Sequence, residues 1–376
     1  MAVTIKQVTC KKDLKRFVDF PNKLYEGNQY FVPKLFIEEY NTFNEKKNPC
    51  YKFSEAALFL AYKDNKIVGR VAAVINHKAN EIWKHKECRY GWIDFIDDLE
   101  VSKALLETVE AYGRSKGMEI ISGPLGFTDF DPEGMLIDGY DQLCTMALIY
   151  NYPYYSKHME AHGYEKEIDW VEYKIYIPDV MPEKITKVAE IVTNRYGFKT
   201  RKLTKKEVLK EGLGYKLFAL INETYKNLYN FTPMTDDMVD KYVKDYLGIL
   251  DWEYVTVVED AQGEMAAYGI AVPSIRVALQ KCRGKLFPLG WYYILRSLYF
   301  KHEECIELLL VGVKPEYRSK GLMALIFSDL IPRMKRGNFV YGETNAELET
   351  NTTVQQQWGM FDTEQKKRRR IYTKKL

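Results

Sequence analysis

A chain of 376 residues is too long for one typical hydrophobic core and short for three, so its length favours two domains of similar size. Apolar residues make up 46% of the chain and charged residues 28%, which excludes an intrinsically disordered protein. The formal net charge is only +3, so the field of the whole molecule gives no reason to expect nucleic acid or a membrane as a partner.

The N-terminus and the most apolar stretch both bear on where the protein resides. The first residues lack an apolar run behind basic residues, so we expect no signal peptide. The stretch from Phe287 to Phe300 is interrupted by Arg296 and is shorter than the roughly 20 apolar residues that cross a bilayer. Six dispersed cysteines are typical of reduced thiols. We therefore expect a cytoplasmic protein without a membrane partner.

Hydrophobic periodicity and turn residues predict a series of strands and helices in the first half of the chain. In chain order they are Val3 to Val8, Ala57 to Lys63, Lys66 to Ile75, Tyr90 to Phe95, Glu100 to Lys116, Glu119 to Ser122, Tyr154 to His162 and Trp170 to Ile177. The run from Glu100 to Lys116 has helical spacing, and Gly117 stands where a helix C-terminal cap is expected. This half is therefore predicted to be a mixed α/β structure.

The second half repeats the order of the first. Its predicted elements are Lys199 to Leu203, Tyr254 to Glu259, Glu264 to Val272, Ile306 to Val313, Leu322 to Arg336, Asn338 to Gly342, Val354 to Phe361 and Arg368 to Lys375. Two similar pentads, Lys84 to Cys88 and Lys301 to Cys305, precede equivalent strands, which supports a tandem repeat. We place the boundary near Pro178 to Pro182, which predicts domains of residues 1–178 and 179–376.

A basic, glycine-containing loop follows the strand that ends at Val313. Lys314 opens this loop, Arg318-Ser319-Lys320-Gly321 closes it, and a helix begins at Leu322. The free N–H groups of a helix start attract anions, and glycine allows close approach of the backbone. The pattern therefore predicts a phosphate-binding loop in the second copy.

This loop resembles the acyl-CoA loop of the GNAT superfamily, which reads Arg or Gln, two residues, Gly, one residue, then Gly or Ala. Arg318 and Gly321 match it, whereas Met323 stands in place of the last small residue. Gly123-Pro124, the segment from Gly134 to Gly139, and the segment from Tyr229 to Pro233 are similar to a bacterial group of uncharacterised two-copy GNAT proteins. The resemblance implies two GNAT-like domains, each a mixed, mostly antiparallel sheet flanked by helices. It also implies acyl-CoA, expected as acetyl-CoA, bound by Val311, Val313, Arg318, Ser319, Lys320, Gly321, Leu322, Met323 and Asn351.

The first copy lacks these features, and the resemblance marks it as degenerate. Its equivalent loop, Ile96-Asp97-Asp98-Leu99-Glu100, holds three carboxylates and neither a basic residue nor a glycine. Carboxylates at this position would repel a phosphate, so we expect acyl-CoA to bind only the second copy.

Transfer of an acyl group to an amine requires a base and an acid. Glu307 and Glu343, on two strands of the second copy, are candidate bases. The resemblance places the acid in the last helix, where Trp358 replaces the usual tyrosine, so the proton is expected to come from Tyr372, from another tyrosine or from water. We therefore expect transfer of an acyl group, expected as acetyl, to a small-molecule or peptide amine. A Fem-like aminoacyl transferase that uses no CoA and a non-catalytic binding protein remain alternatives.

Three other groups invite functional interpretation. His85 with Cys88 and His302 with Cys305 supply only two metal ligands per copy, so we expect no metal. The acidic loop from Asp129 to Glu133 is expected to be solvated, although a cation or an amine substrate would also suit it. The basic run from Lys366 to Arg370 lies in a predicted strand whose side chains alternate between faces, which disfavours nucleic acid.

Overall fold

The computed structural model describes residues 2–244 and 250–376. The first half contains seven strands and five helices within the described residues. The strands are β1 (Thr4–Gln7), β2 (Ser54–Lys63), β3 (Lys66–Asn76), β4 (Glu87–Phe95), β5 (Ile120–Gly123), β6 (Met135–Asp138) and β7 (Glu165–Tyr176). The helices are α1 (Lys11–Leu24), α2 (Phe36–Thr42), α3 (His77–Trp83), α4 (Leu99–Ser115) and α5 (Tyr154–Ala161).

The second half repeats this alternation with additional helices. Its helices are α6 (Glu183–Tyr196), α7 (Lys205–Lys210), α8 (Leu213–Tyr225), α9 (Asp236–Tyr242), α10 (Arg276–Cys282), α11 (Gly290–Tyr299), α12 (Leu322–Arg336) and α13 (Thr352–Trp358). Its strands are β8 (Lys199–Arg201), β9 (Val255–Glu259), β10 (Met265–Pro273), β11 (Cys305–Val313), β12 (Tyr341–Thr344), β13 (Glu347–Leu348) and β14 (Thr363–Lys375). Along the described chain, no helix combines the length and apolar character needed to cross a membrane.

The chain forms two compact units that are not contiguous in sequence. Unit 1 contains Met1–Val171, Arg276–Tyr293 and Lys366–Leu376, and unit 2 contains Glu172–Ile275 and Ile294–Gln365. The first of these segments agrees with the predicted first domain up to Val171. The C-terminal segment belongs to unit 1 because β14 pairs with β5, with Tyr372 opposite Gly123. The boundary between the two sequence repeats near Pro178 to Pro182 stays a prediction.

Unit 1 is built on a mixed sheet. Strands β1, β2, β3 and β4 are antiparallel neighbours, β4 and β5 run parallel, and β5 pairs antiparallel with β14. Helix α4 packs on this sheet through the predicted apolar stripe, since Val101, Leu105 and Val109 are buried in the core. The α/β organisation predicted for the first half is confirmed.

Unit 2 repeats the arrangement with β8, β9, β10 and β11 as antiparallel neighbours, a parallel β11–β12 pair, and β12 antiparallel to β7. Helix α12 has the predicted bounds, and Leu322, Ile326 and Leu330 from its predicted stripe are buried. They pack in one core with residues of α6 and with Ile306 of β11. Because side chains alternate along a strand, Glu307 projects from the opposite face of this sheet.

Candidate active site

Strand β11 is buried at its start and open along its second half. It pairs with β12 only from Cys305 to Leu308, whereas β11 continues to Val313. The first three residues of β11 are buried, and every residue from Leu308 to Val313 is partly exposed. A central strand whose apolar residues are accessible lines a cleft, which is the usual form of a ligand site.

The open half of β11 leads directly into the start of α12. The loop forms a short 3₁₀ helix, Pro315–Lys320, and Gly321 then caps α12 with φ of 78° and without a side-chain hydrogen bond. No side chain at the cap position therefore competes for the first two amides of α12, those of Leu322 and Met323. The Ala324 N–H group donates to the Gly321 carbonyl oxygen at 3.0 Å. A Cβ atom on Gly321 would lie 2.8 Å from Cγ1 of Val188, so both backbone angle and space favour glycine.

Cationic side chains surround this helix start. Arg318 and Ser319 are exposed, and the Arg318 Nη2 donates to the carbonyl oxygen of Thr224 at 3.3 Å. The Lys320 ammonium lies over the rings of Tyr196 and Tyr317, with Nζ to centroid distances of 5.1 and 5.2 Å. The arrangement combines fixed positive charge with unpaired helix amides, which suits a phosphate group.

The other predicted cofactor-binding residues lie in several places in unit 2. Val311, Val313 and Met323 are partly buried and pack against the core, while Leu322 is buried. Asn351 precedes α13, and its backbone carbonyl accepts from the N–H group of Val354 at 3.2 Å.

The two predicted bases, Glu307 and Glu343, are neighbours. They are paired in register on the parallel strands β11 and β12, so their side chains project from the same face of the sheet. Both are buried, at 1% and 9% exposure. The Ser274 hydroxyl donates to Glu307 Oε1 at 3.0 Å. Two adjacent buried carboxyl groups are an uncommon arrangement, and such groups occur often at functional sites.

A third carboxyl group was not predicted from sequence. The indole Nε1 of Trp358 donates to Oε1 and Oε2 of Glu347 at 2.9 and 3.1 Å. Burial raises the pKa of Glu347 to about 8, although hydrogen bonds from Trp358 and Thr344 lower it. This carboxyl can therefore exchange a proton near neutral pH. The glutamate lies just after β12, and its burial is a tertiary effect.

Tyr225 is a further missed candidate. Its hydroxyl donates to the carbonyl oxygen of Val311, in the open half of β11, at 3.3 Å. Burial raises the pKa of Tyr225 to about 12, and the Glu347 charge acts in the same direction. Tyr225 is therefore protonated at neutral pH and can act as a proton donor beside the cleft.

Tyr372 has a different environment from that expected of an acid in the second copy. It belongs to unit 1, is 1% exposed and packs in the hydrophobic core of that unit. The Arg370 guanidinium lies 5.7 Å from its ring centroid. We therefore assign Tyr372 no catalytic role.

In unit 1 the equivalent strand, β4, borders a cavity of about 50 Å³ through Trp92, Ile93 and Asp94. Every residue of β4 is buried. The N–H group of Leu125 donates to the carbonyl oxygen of Tyr90 at 2.9 Å, and a Cβ atom on Gly91 would lie 2.4 Å from the Leu125 carbonyl oxygen. The loop after β5 therefore lies directly against β4. In unit 2 the Asn345 N–H group makes a comparable bond to the Leu308 carbonyl oxygen, at 3.1 Å, so the units differ in the burial of the strand: β4 is buried throughout and β11 only at its start.

The anion site at the start of α4 is also occupied by a protein carboxylate. Asp98 caps α4 by accepting from the Glu100 N–H group at 2.9 Å. A hydrogen bond from Lys63, at 2.6 Å, lowers the pKa of Asp98. The Asp98 carboxylate thus stands at the start of α4, where α12 has only Gly321. Because this carboxylate already takes the place of an anion, the start of α4 is poorly suited to a phosphate ligand.

The acidic loop and the basic run are both integrated into unit 1. The acidic loop is not solvated as expected: Asp129, Asp131 and Glu133 are partly buried, and burial raises the pKa of Asp131 to about 6. In the basic run, Arg368 and Arg370 bind Asp169, and Arg369 is fully buried. Within residues 2–244 and 250–376, no cluster of three His, Cys, Asp or Glu side chains is placed to hold a metal ion.

Comparisons with known proteins were made for the whole chain. No family model matches it. Protein YghO of Escherichia coli is 29% identical over 97% of this chain and 94% of its own length. Bacterial ceramide synthase of Caulobacter vibrioides is 24% identical over 82% of this chain and 79% of its own length. A solved tandem GNAT protein from the clavulanic acid biosynthesis pathway matches 99% of this chain and 98% of its own, with a TM-score of 0.56 and 11% identity.

Proposed function

Because the chain has the tandem GNAT fold, we propose that unit 2 binds an acyl-CoA and transfers its acyl group to the nitrogen of an amine. The observation that carries the proposal is the cleft along β11, which runs from partly exposed apolar residues to the uncapped start of α12. Unit 1 has the same elements, but its strand β4 is buried throughout and Asp98 caps its helix. Unit 2 therefore combines an open strand with positive charge, which suits the donor better.

The residues of unit 2 fit the two chemical parts of an acyl-CoA. The first amides of α12, with Arg318 and Lys320 beside them, suit the pyrophosphate. The partly exposed strand from Leu308 to Val313 suits the apolar and amide-containing arm. When bound, coenzyme A supplies a thioester with an electrophilic acyl carbon and a thiol leaving group.

The chain must supply the proton transfers. An alkylamine is mostly protonated at neutral pH, so a base has to remove a proton before the nitrogen can attack. The pKa of about 8 makes the Glu347 carboxylate a well matched base, and Glu307 and Glu343 are the other candidates. Tyr225, with its pKa of about 12, holds a proton that it can give to the departing thiolate.

For the acceptor, we propose a long-chain amino alcohol. A ceramide is the N-acyl amide of such an amine, and the relative named bacterial ceramide synthase covers most of this chain. The similarity to bacterial ceramide synthase also favours a long acyl chain over the acetyl group expected from the sequence. The apolar character of the open β11 residues is compatible with a long chain.

Ligand-induced thermal stabilisation tests donor binding. Long-chain acyl-CoA is expected to raise the melting temperature of the full chain more than acetyl-CoA does, because more apolar surface is buried. Arg318→Glu, which reverses an exposed charge beside α12, is expected to remove the stabilisation. Lys66→Glu reverses an exposed charge on β3 of unit 1 and should leave it intact. Stabilisation retained in Arg318→Glu would contradict the proposed phosphate site.

Release of free thiol from acyl-CoA tests turnover. We expect release with a long-chain amino alcohol such as sphinganine, and little with a polyamine or a peptide amine. Product identity is checked by mass spectrometry, which distinguishes an amide from an ester. If thiol release requires a different amine, the proposed acceptor is wrong, whereas acyl transfer itself is supported. Donor binding without release for any amine would indicate a non-catalytic binding protein.

A further inference from the structure

Helix α11 is apolar on both of its faces. Ile294 and Leu298 are buried, as the inner stripe of a surface helix should be. Trp291, Leu295 and Tyr299 follow one another at four-residue spacing on the outer stripe, and all three are exposed. A surface helix normally places polar residues on its outer stripe. The outer stripe of α11 is therefore suited to a partner.

The segments beside α11 extend the exposed apolar surface. Phe287, before the helix, is 81% exposed, and Phe300, after it, is 84% exposed. Local hydrogen bonds fix both ends: the Trp291 indole donates to the Pro288 carbonyl at 3.1 Å, and the Phe300 N–H group donates to the Arg296 carbonyl at 3.1 Å. We call the exposed set the aromatic face; it consists of Phe287, Leu289, Trp291, Tyr292, Leu295, Tyr299 and Phe300.

The charge of this segment has a single sign. From Arg276 to Phe300 the sequence contains five Lys or Arg residues and no Asp or Glu. Arg283 and Lys285 form ion pairs with Glu26 and Asp19, at 3.2 and 3.4 Å. Lys281 and Arg296 are exposed, and Arg296 lies within the aromatic face. Beyond Phe300, Lys301 is followed by Glu303 and Glu304, so the cationic character belongs to the segment that carries the aromatic face.

We propose that the aromatic face docks on the surface of a bilayer that contains anionic lipid. Exposed Trp and Tyr favour the headgroup level of a membrane, and Lys and Arg are attracted to anionic lipid. Ten helical residues span about 15 Å, too short to cross a bilayer, so α11 would lie in the interface. A second copy of the chain is disfavoured as the partner, since like charges would face each other.

This proposal replaces the expectation of no membrane partner, which rested on net charge and on the length of the apolar stretch. It does not depend on acyl transfer, because docking requires no chemistry. If both proposals hold, a long-chain acceptor would be met at the bilayer in which it dissolves.

Vesicle flotation with the full chain tests the proposal. The protein is expected to float with phosphatidylcholine vesicles that contain phosphatidylglycerol, and to remain unbound with phosphatidylcholine alone. Leu295→Ser with Phe300→Ser should weaken binding at least about tenfold, because two exposed apolar anchors are lost. Arg296→Glu should weaken it about fivefold or more, and added salt should weaken it further. Val180→Ser removes an apolar side chain that is 82% exposed elsewhere and should have no effect.

Two further measurements complete the test. Trp291→Phe should remove the component of Trp fluorescence that shifts to the blue when vesicles are added, which would place this residue in the interface. Melting temperatures of all variants should equal that of the unmodified chain, because the altered side chains are exposed. Failure of the unmodified chain to float, or flotation of the Leu295 and Phe300 double variant like the parent, would overturn the proposal. A dimer that only this double variant dissociates would overturn it as well, in favour of a second copy.

Discussion

The indole of Trp358 holds both carboxylate oxygens of Glu347, at 2.9 and 3.1 Å. Burial raises the pKa of this carboxyl to about 8 and the indole moderates the rise. Trp358 occupies the position at which the superfamily pattern places a tyrosine acid. Here the aromatic side chain holds a titratable carboxyl group, and we propose Glu347 as the residue that carries the proton.

We predict that Glu347→Gln lowers the turnover rate about a hundredfold or more, because the glutamine amide cannot accept the proton of the amine. Acyl-CoA binding should be unchanged. In the unmodified enzyme the rate should rise with pH through about 8, as Glu347 loses its proton. Steady-state rates and ligand-induced melting shifts measure the two effects. Glu307→Gln and Glu343→Gln test the other two candidate bases, and full activity of Glu347→Gln would return the base role to one of them.

The same substitution should alter the pH dependence of stability. The pKa of Glu347 is about 8 in the folded chain and 4.5 for an ordinary glutamate, so between these values the folded state binds more protons than the unfolded state. Its contribution to the free energy of unfolding is present below pH 4.5 and is lost as pH rises through 8. Glu347→Gln should therefore lose less stability than the parent between pH 5 and pH 9 in urea denaturation. Equal losses would show that the carboxyl is not buried.

Trp358→Phe separates positioning from packing. Loss of the indole donor should raise the pKa of Glu347 further, because that hydrogen bond favours the ionised carboxylate. The rate profile is expected to move to higher pH, with much of the turnover regained in alkaline buffer. The ring centroids of Trp358 and Phe327 lie 5.8 Å apart. If Trp358 acts only through this packing, its substitution should lower the rate equally at every pH.

The elements whose signals are local could be predicted from the sequence. Helix α12 has the expected bounds because its apolar stripe begins after Gly321 and ends before Gly337. The following strand was predicted at Asn338 to Gly342 but is Tyr341–Thr344, since Asn338 adopts φ of 59° and makes a left-handed turn after the helix. The hydrophobic pattern of the sequence therefore predicted the bounds of α12 but not the turn at Asn338 that delays the next strand.

The site was less predictable because burial depends on tertiary packing. The pairing of Glu307 with Glu343 follows from strand order, and the sequence indicated both residues. The raised pKa of Glu347 requires its surroundings to be known, and no spacing rule reveals it. Tyr372 was assigned to the second copy from its position near the end of the chain. Its strand pairs with β5, so its side chain belongs to the core of unit 1.

Two glycines allow backbone angle and crowding to be separated. Gly321 and Gly212 both cap helices in unit 2, with φ of 78° and 81°. An added Cβ meets Val188 at 2.8 Å at Gly321 but has nothing within 4 Å at Gly212. We predict that Gly212→Ala costs about 1 kcal/mol from backbone strain and that Gly321→Ala costs about 1 kcal/mol more. Chemical denaturation measures both values, and equal costs would show that Val188 yields freely.

Finally, each chain should bind one acyl-CoA. In unit 1, Asp98 already supplies an anion to the start of α4, and every residue of β4 is buried. Isothermal titration is therefore expected to give a single class of site, which Arg318→Glu removes. Asp98→Ala should not create a second site, because β4 remains buried along its whole length. Its expected effect is a loss of about 1 kcal/mol in stability from the missing helix cap. A second acyl-CoA per chain that survives Arg318→Glu would show that both copies bind the donor.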